Sequence, residues 1–182
     1  MPAKLDALYR RIHEVAIEEE LKLRRHGRGI FWMPELAFAH EVGRRVMQDA
    51  VEVFNHSGVT WRPESRVGAS GPTDLVFEVT GDRGIAIEFK MRGRADTITS
   101  DLNKLRSIDG TKYDRVLCVL LDPFSETIPL ERLRKDARIV AATADDCEPI
   151  AFPFEFFSTI DAAYQNQVCC MICVWTISPS DA

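Results

Sequence analysis

The stretch that most constrains the fold is GPTDLVFEVTGDRGIAIEFKMRGR, residues 71–94, in which two apolar segments alternate on either side of a glycine-bearing turn. Strand periodicity puts Ile85, Ile87, Phe89 and Met91 on one face of the second segment and Ala86, Glu88 and Lys90 on the other. The first segment divides in the same way, with Leu75, Phe77 and Val79 opposite Asp74, Val76 and Glu78. A symmetric loop over Gly81–Gly84 pairs Thr80 with Ile85 and Asp74 with Met91, which sets the oily face of one strand against the polar face of its neighbour. A three-residue loop, or a bulge at Gly84, pairs Asp74 with Lys90 and Phe77 with Ile87 and gives both strands one shared apolar face. Burial therefore predicts the second register, and that register gathers Asp74, Glu88 and Lys90 on the opposite face.

Charges gathered on a sheet face under a covering helix cost several kcal/mol each unless they are paired or metal-bound. Two readings satisfy that requirement. In one, Lys90 makes a salt bridge with an acid in a partly wet groove. In the other, Asp74 and Glu88 offer hard oxygen ligands, the Phe89 carbonyl adds a third, and waters complete an octahedron around Mg²⁺ or Mn²⁺. Such an ion orients and acidifies a water for attack on a phosphorus centre, while Lys90 holds or deprotonates the nucleophile.

The remaining chain supplies a frame for this hairpin. Charges at helical spacing predict a first helix over about residues 3–25, and Pro34, placed in the first turn, opens a second. Ala39, Val42, Val46, Ala50 and Val53 form the apolar stripe of that second helix; Glu35 falls on the stripe and Glu41 points away. Glu35 is either an acid favoured by the helix dipole or a group aimed between helix and sheet. VTWRPESRV reads as a strand, TITSDLNKLRSID as a short helix capped by Thr or Ser, and YDRVLCVLLD as a strand buried on both faces. PLERLRKDA reads as helix, RIVAAT as extended, and IAFPFEFF and QVCCMICVWTI as strands. This order predicts one mixed α/β domain over residues 1–182, with Arg115–Asp122 at the centre of its sheet.

Composition narrows the class. With 46% hydrophobic and 28% charged residues, the chain suits a globular fold, and no apolar run is long enough to span a bilayer. The absence of a secretory pattern and the odd count of five cysteines predict reduced thiols and a cytoplasmic address without membrane association. The net charge of −5 lies wholly in residues 123–182, which hold 4 basic and 9 acidic residues against 19 of each in residues 1–122. Arg24, Arg25 and Arg28 cluster in the balanced part, and Arg62, Arg66, Arg92 and Arg94 flank the hairpin, as solvated surface or as contacts for phosphate. Cys169, Cys170 and Cys173 lack the partners of a zinc site and read as core strand. VGASGPTD lacks the lysine of a phosphate loop, and Ser70 lacks a visible histidine partner. Trp32 and Trp61 are candidates for the core or for stacking on bases.

Pro72-Thr73-Asp74, thirteen residues, then Glu88-Phe89-Lys90 resembles the signature of the PD-(D/E)XK nuclease superfamily, over roughly residues 34–122. The resemblance implies a restriction-endonuclease-like mixed β-sheet flanked by helices, with residues 1–33 as an N-terminal helix and basic loop, 34–122 as catalytic core and 123–182 completing the sheet. It implies Mg²⁺ or Mn²⁺ on Asp74 and Glu88, a catalytic Lys90, and Glu35 as the acid from the preceding helix, with Glu41 as the substitute. Lys104, on the helix after the hairpin, would face phosphates beside Arg62, Arg66, Arg92 and Arg94. The expected activity is DNA phosphodiester hydrolysis, by an endonuclease acting alone, as a homodimer or with a partner protein. A nuclease-like module that binds nucleic acid or protein without cutting is the alternative.

Overall fold

The computed structural model describes residues 5–122, 135–143, 150–156 and 168–177. Helix α1 (Leu5–Arg24) is followed by a 3₁₀ turn (Ile30–Trp32), α2 (Glu35–Gln48) and α3 (Ala50–Phe54). Strands β1 (Val59–Ser65), β2 (Thr73–Val79) and β3 (Gly84–Met91) come next, then α4 (Ala95–Arg106) and β4 (Tyr113–Leu121). Helix α5 (Ala137–Ala142), β5 (Ile150–Phe156) and β6 (Val168–Ile177) complete the described elements.

The six strands form one sheet in the order β1-β2-β3-β4-β6-β5. The β3 and β4 strands run parallel, joined through α4, and every other neighbouring pair is antiparallel. Strand β4 lies inside the sheet and is buried from Arg115 to Leu121, as its unbroken apolar run predicts. Its alternate residues enter two separate cores. Val116, Cys118 and Leu120 pack with the helices α1–α3, while Leu117, Val119 and Leu121 pack with α4 and α5. Pro153 falls on β5, at the sheet edge, where a missing N–H costs least. Among the described residues no helix is long and apolar enough to cross a membrane.

Several expectations need correction. The hairpin register is Leu75 with Ile87 and Phe77 with Ile85, displaced by two residues from the pairing of Phe77 with Ile87. A shift of two preserves parity, so Leu75, Phe77, Val79, Ile85, Ile87 and Phe89 still share one core. Continued by one step, the observed register sets Asp74 against Glu88 instead of Lys90. RIVAAT is helical over Ala137–Ala142, because Asp136 caps the turn by accepting the Arg138 N–H and Ile139 and Ala142 then face the α4 core. Pro34 is the N-cap of α2 and not a first-turn residue, and the apolar stripe divides at Asp49 into α2 and α3. Helix α4 starts two residues before Thr97, with Arg94 at its cap, and Thr97 Oγ1 accepts the Arg94 N–H at 3.0 Å. PLERLRKDA lies for most of its length outside the described residues.

Candidate active site

The site forms where the parallel strands β3 and β4 end, and its side chains come from four elements. Strand β2 supplies Asp74 and β3 supplies Glu88 and Lys90, on the side covered by α4. Helix α2 sits on the other face, yet its first residue, Glu35, reaches the end of β3. There Glu35 Oε2 accepts the Met91 N–H at 2.7 Å and Oε1 accepts a hydrogen bond from Lys90 Nζ at 3.1 Å. Asp101, from α4, approaches the same ammonium at 3.1 Å. Lys90 is thus held between the two helical layers.

Glu88 is 2% exposed and faces Lys104, also from α4. One carboxylate oxygen accepts a hydrogen bond from Lys104 Nζ at 2.8 Å. The other, Oε1, lies 2.7 Å from the same nitrogen but has no aligned hydrogen-bond donor among the described residues. Asp74 Oδ2 accepts the Phe89 N–H at 2.8 Å. A strand residue directs its N–H and C=O to the same side, so the Phe89 carbonyl also faces the β2 side, near Asp74.

Burial sets the electrostatics. It pushes the Glu88 carboxyl up to about 8, aided by the negative Asp74 and opposed by Lys104. Asp74 is raised by burial against the Phe89 hydrogen bond and Lys104, and Asp101 by burial against Lys90. Burial works to lower Lys90, but Asp101 and Glu35 outweigh it and the net shift is upward. Lys90 therefore remains an ammonium at neutral pH. Ionised, Glu35, Asp74, Glu88 and Asp101 carry four negative charges against the two positive charges of Lys90 and Lys104. With Glu88 holding its proton, as its raised pKa favours at neutral pH, three negative charges face two positive ones, and loss of that proton leaves the cluster two positive charges short.

Gly93 makes this packing possible: a Cβ there would stand 2.1 Å from Lys90 Cγ and 2.7 Å from Cδ. Beside the cluster, Asp122 at the end of β4 bridges Arg92, at 3.2 Å, and Arg138, at 3.0 Å. Arg138 also pairs with Asp136 at 2.8 Å. Arg92 turns through a positive φ of 57° and lays its guanidinium over the Phe31 ring, 4.6 Å from the centroid.

The structure thus brings Glu35, Asp74, Glu88, Phe89 and Lys90 together, and Glu41 pairs with Arg44 on the outer side of α2. Lys104 joins the cluster through Glu88, so its ammonium is not aimed outward at phosphates. Arg62 pairs with Glu78, directed away from the cluster. Arg66 is exposed just beyond β1, and Arg94, also exposed, caps α4 beside Asp96 at 3.2 Å. Asp101 and Asp122 were missed as site residues. The spacing of Asp101 and Lys104, three apart on α4, was the available signal.

Asp74, Glu88 and the Phe89 carbonyl are the oxygen donors here that could hold a hard, hydrated cation, and Lys104, 2.7 Å from Glu88 Oε1, stands where such an ion would approach that carboxylate. Among the described residues, no three His, Cys, Asp or Glu side chains are grouped to hold a metal, so waters and the backbone would supply the other ligands. Comparison with protein-family models, curated proteins and solved structures found no match to the chain.

Proposed function

We propose that the protein is a divalent-metal-dependent nuclease of restriction-endonuclease-like fold that hydrolyses DNA phosphodiester bonds, acting as an endonuclease. One observation carries this reading: two carboxylates, the buried Glu88 and the partly buried Asp74, stand beside a fixed ammonium, Lys90, at the end of a parallel strand pair, two positive charges short of neutrality once Glu88 is ionised. Asp74, Glu88 and the Phe89 carbonyl would hold Mg²⁺ or Mn²⁺, which when bound supplies Lewis acidity to the scissile phosphate and to an attacking water. Glu88 must lose its proton and its hold on Lys104 to serve as a ligand, which frees the Lys104 ammonium for a phosphate oxygen. Lys90, kept protonated by Asp101 and Glu35, stabilises negative charge building on the phosphate and orients the water; it is a poor base in this state. Glu35 fixes the position of Lys90 and is itself fixed by the Met91 N–H.

The mutual neutralisation of Glu88 by Lys104 favours a second reading, a binding module that folds stably without metal or catalysis. Supercoiled DNA incubated in Mg²⁺, in Mn²⁺ and in EDTA separates the two. Cutting in either metal that stops in EDTA and in Lys90→Ala supports the nuclease; no cutting, with no Asp74-dependent Mn²⁺ binding by calorimetry, sinks it.

A further inference from the structure

The last turn of α1 and the segment that joins it to α2 carry no acid. Residues 21–34, LKLRRHGRGIFWMP, hold Lys22, Arg24, Arg25 and Arg28 and no carboxylate. The structure gives this basic segment a fixed shape. Gly27, at φ 66°, ends α1: its N–H reaches the Arg24 carbonyl at 2.9 Å, and the Arg28 N–H reaches back to the Leu23 carbonyl at 3.0 Å. The buried Glu20 carboxylate then accepts the Ile30 N–H at 2.7 Å, and the Ile30 side chain enters the core. Phe31 lies under Arg92, and Glu35 is bonded to the end of β3. Gly27, Arg28, Ile30, Phe31 and Glu35 are therefore pinned.

Trp32 lies between these pins and is left outside, 43% exposed, whereas Trp61 is partly buried and Trp175 fully buried. The Arg28 guanidinium lies over its ring at 4.1 Å from the centroid. Three residues separate Trp32 from Glu35, so the indole backbone sits within about 11 Å of a residue that holds Lys90. Leu36, four residues on in the first turn of α2, is likewise exposed, at 41%. An exposed indole, paired with a cation, set in a basic segment and three residues from Glu35 of the charged cluster, has the chemistry of a base-stacking site.

We propose that Trp32 and Arg28 form a platform for an unpaired nucleotide, so that the substrate is nucleic acid with a single-stranded segment at the point of attack. The base stacks on the free face of the indole, and the backbone phosphates meet Arg28 and Arg25. This rests on the nucleic-acid reading of the adjacent cluster but is tested without catalysis. A duplex keeps its bases stacked inside the helix and offers the indole no π-face, so the platform discriminates against blunt duplex.

The test is a titration in EDTA, read by tryptophan fluorescence and by the anisotropy of a dye-labelled oligonucleotide, with a single strand of about 12 nucleotides and with a blunt duplex of the same sequence. The single strand should quench the wild type and bind more tightly than the duplex. Trp32→Ala should weaken single-strand binding by about tenfold or more and leave duplex binding unchanged, while Trp32→Phe retains most of the affinity and loses the quench. Arg28→Ala should reduce the slope of log Kd against log salt by about 0.7, and Arg28→Lys should restore it. Equal single-strand affinity in wild type and Trp32→Ala overturns the platform, as does preference for the duplex or binding of neither. Trp32-dependent binding with no cutting in Mg²⁺ leaves the platform standing and removes the nuclease. Metal-dependent cutting of single-stranded DNA that Trp32→Ala leaves unchanged does the reverse.

Discussion

Two ion networks stand side by side where β3 and β4 end, and they differ in which cation ties them. Around Asp122, the cations are Arg92 and Arg138, whose planar guanidinium groups match carboxylate geometry. Hydrogen bonding to Arg138 holds Asp136 below the usual carboxylate range, the mark of a network content to be charged. Around Glu88, the cations are Lys90 and Lys104, single points of charge, and Glu88, Asp74 and Asp101 are all pushed upward. Burial is similar, since the side chains of Asp122 and Glu88 are 5% and 2% exposed. The difference is in the acids: the arginine-tied network lowers Asp136, whereas the lysine-tied one holds its acids under strain, raised by burial that two lysines offset only in part.

The largest effect should come from breaking the satisfied network. Asp122→Ala leaves Arg92 and Arg138 without their shared carboxylate, and denaturant unfolding should show a loss of about 3–5 kcal/mol. The strained network should respond to pH instead. Because Glu88 is raised from an ordinary 4.5 to about 8, the folded chain binds more protons than the unfolded one between those values, and stability falls as pH rises. In EDTA, unfolding free energy should therefore drop by about 1–3 kcal/mol from pH 5 to 8, and Glu88→Gln should flatten that decline. An undiminished decline in Glu88→Gln would contradict the assignment.

Gly93→Ala tests geometry with no change of charge. Its methyl displaces the Lys90 stem, and we expect about a tenfold loss of metal-dependent cleavage with about 1–2 kcal/mol of destabilisation. Smallest of all, Glu41→Ala should move stability by less than about 0.5 kcal/mol and leave cleavage intact, since among the described residues Glu41 makes an outer pair with Arg44 and no contact with the cluster. Glu35→Gln, measured beside it, should lower cleavage by weakening the hold on Lys90.

Side-chain parity was legible in the sequence; absolute pairing was not. Alternation in Leu75–Val79 and Ile85–Phe89 identified both faces, but any even shift satisfies it, and turn geometry chose the observed register. The short 137–142 helix escaped because Ile139 and Val140 suit a strand locally, and only the Asp136 cap and packing against α4 decide otherwise. Glu35 was readable because it falls on an apolar stripe, and Asp74, Glu88 and Lys90 because alternation gathers them on one face of the hairpin. Asp101 has neither mark: on a polar helix it looks solvated until α4 is laid across β3. Asp122 and Arg138 are sixteen residues apart in the chain, with no local periodicity to connect them.

Lys90 touches Glu35 from one helical layer and Asp101 from the other, and so acts as a bolt through the end of the sheet. An ammonium has three N–H groups, and a ligand oxygen that draws it away must loosen its grip on one or both layers. A ligand at the cluster then becomes a mechanical signal. Amide exchange at the first turn of α2 and along α4 should change together when it binds, although the two helices lie on opposite faces of the sheet.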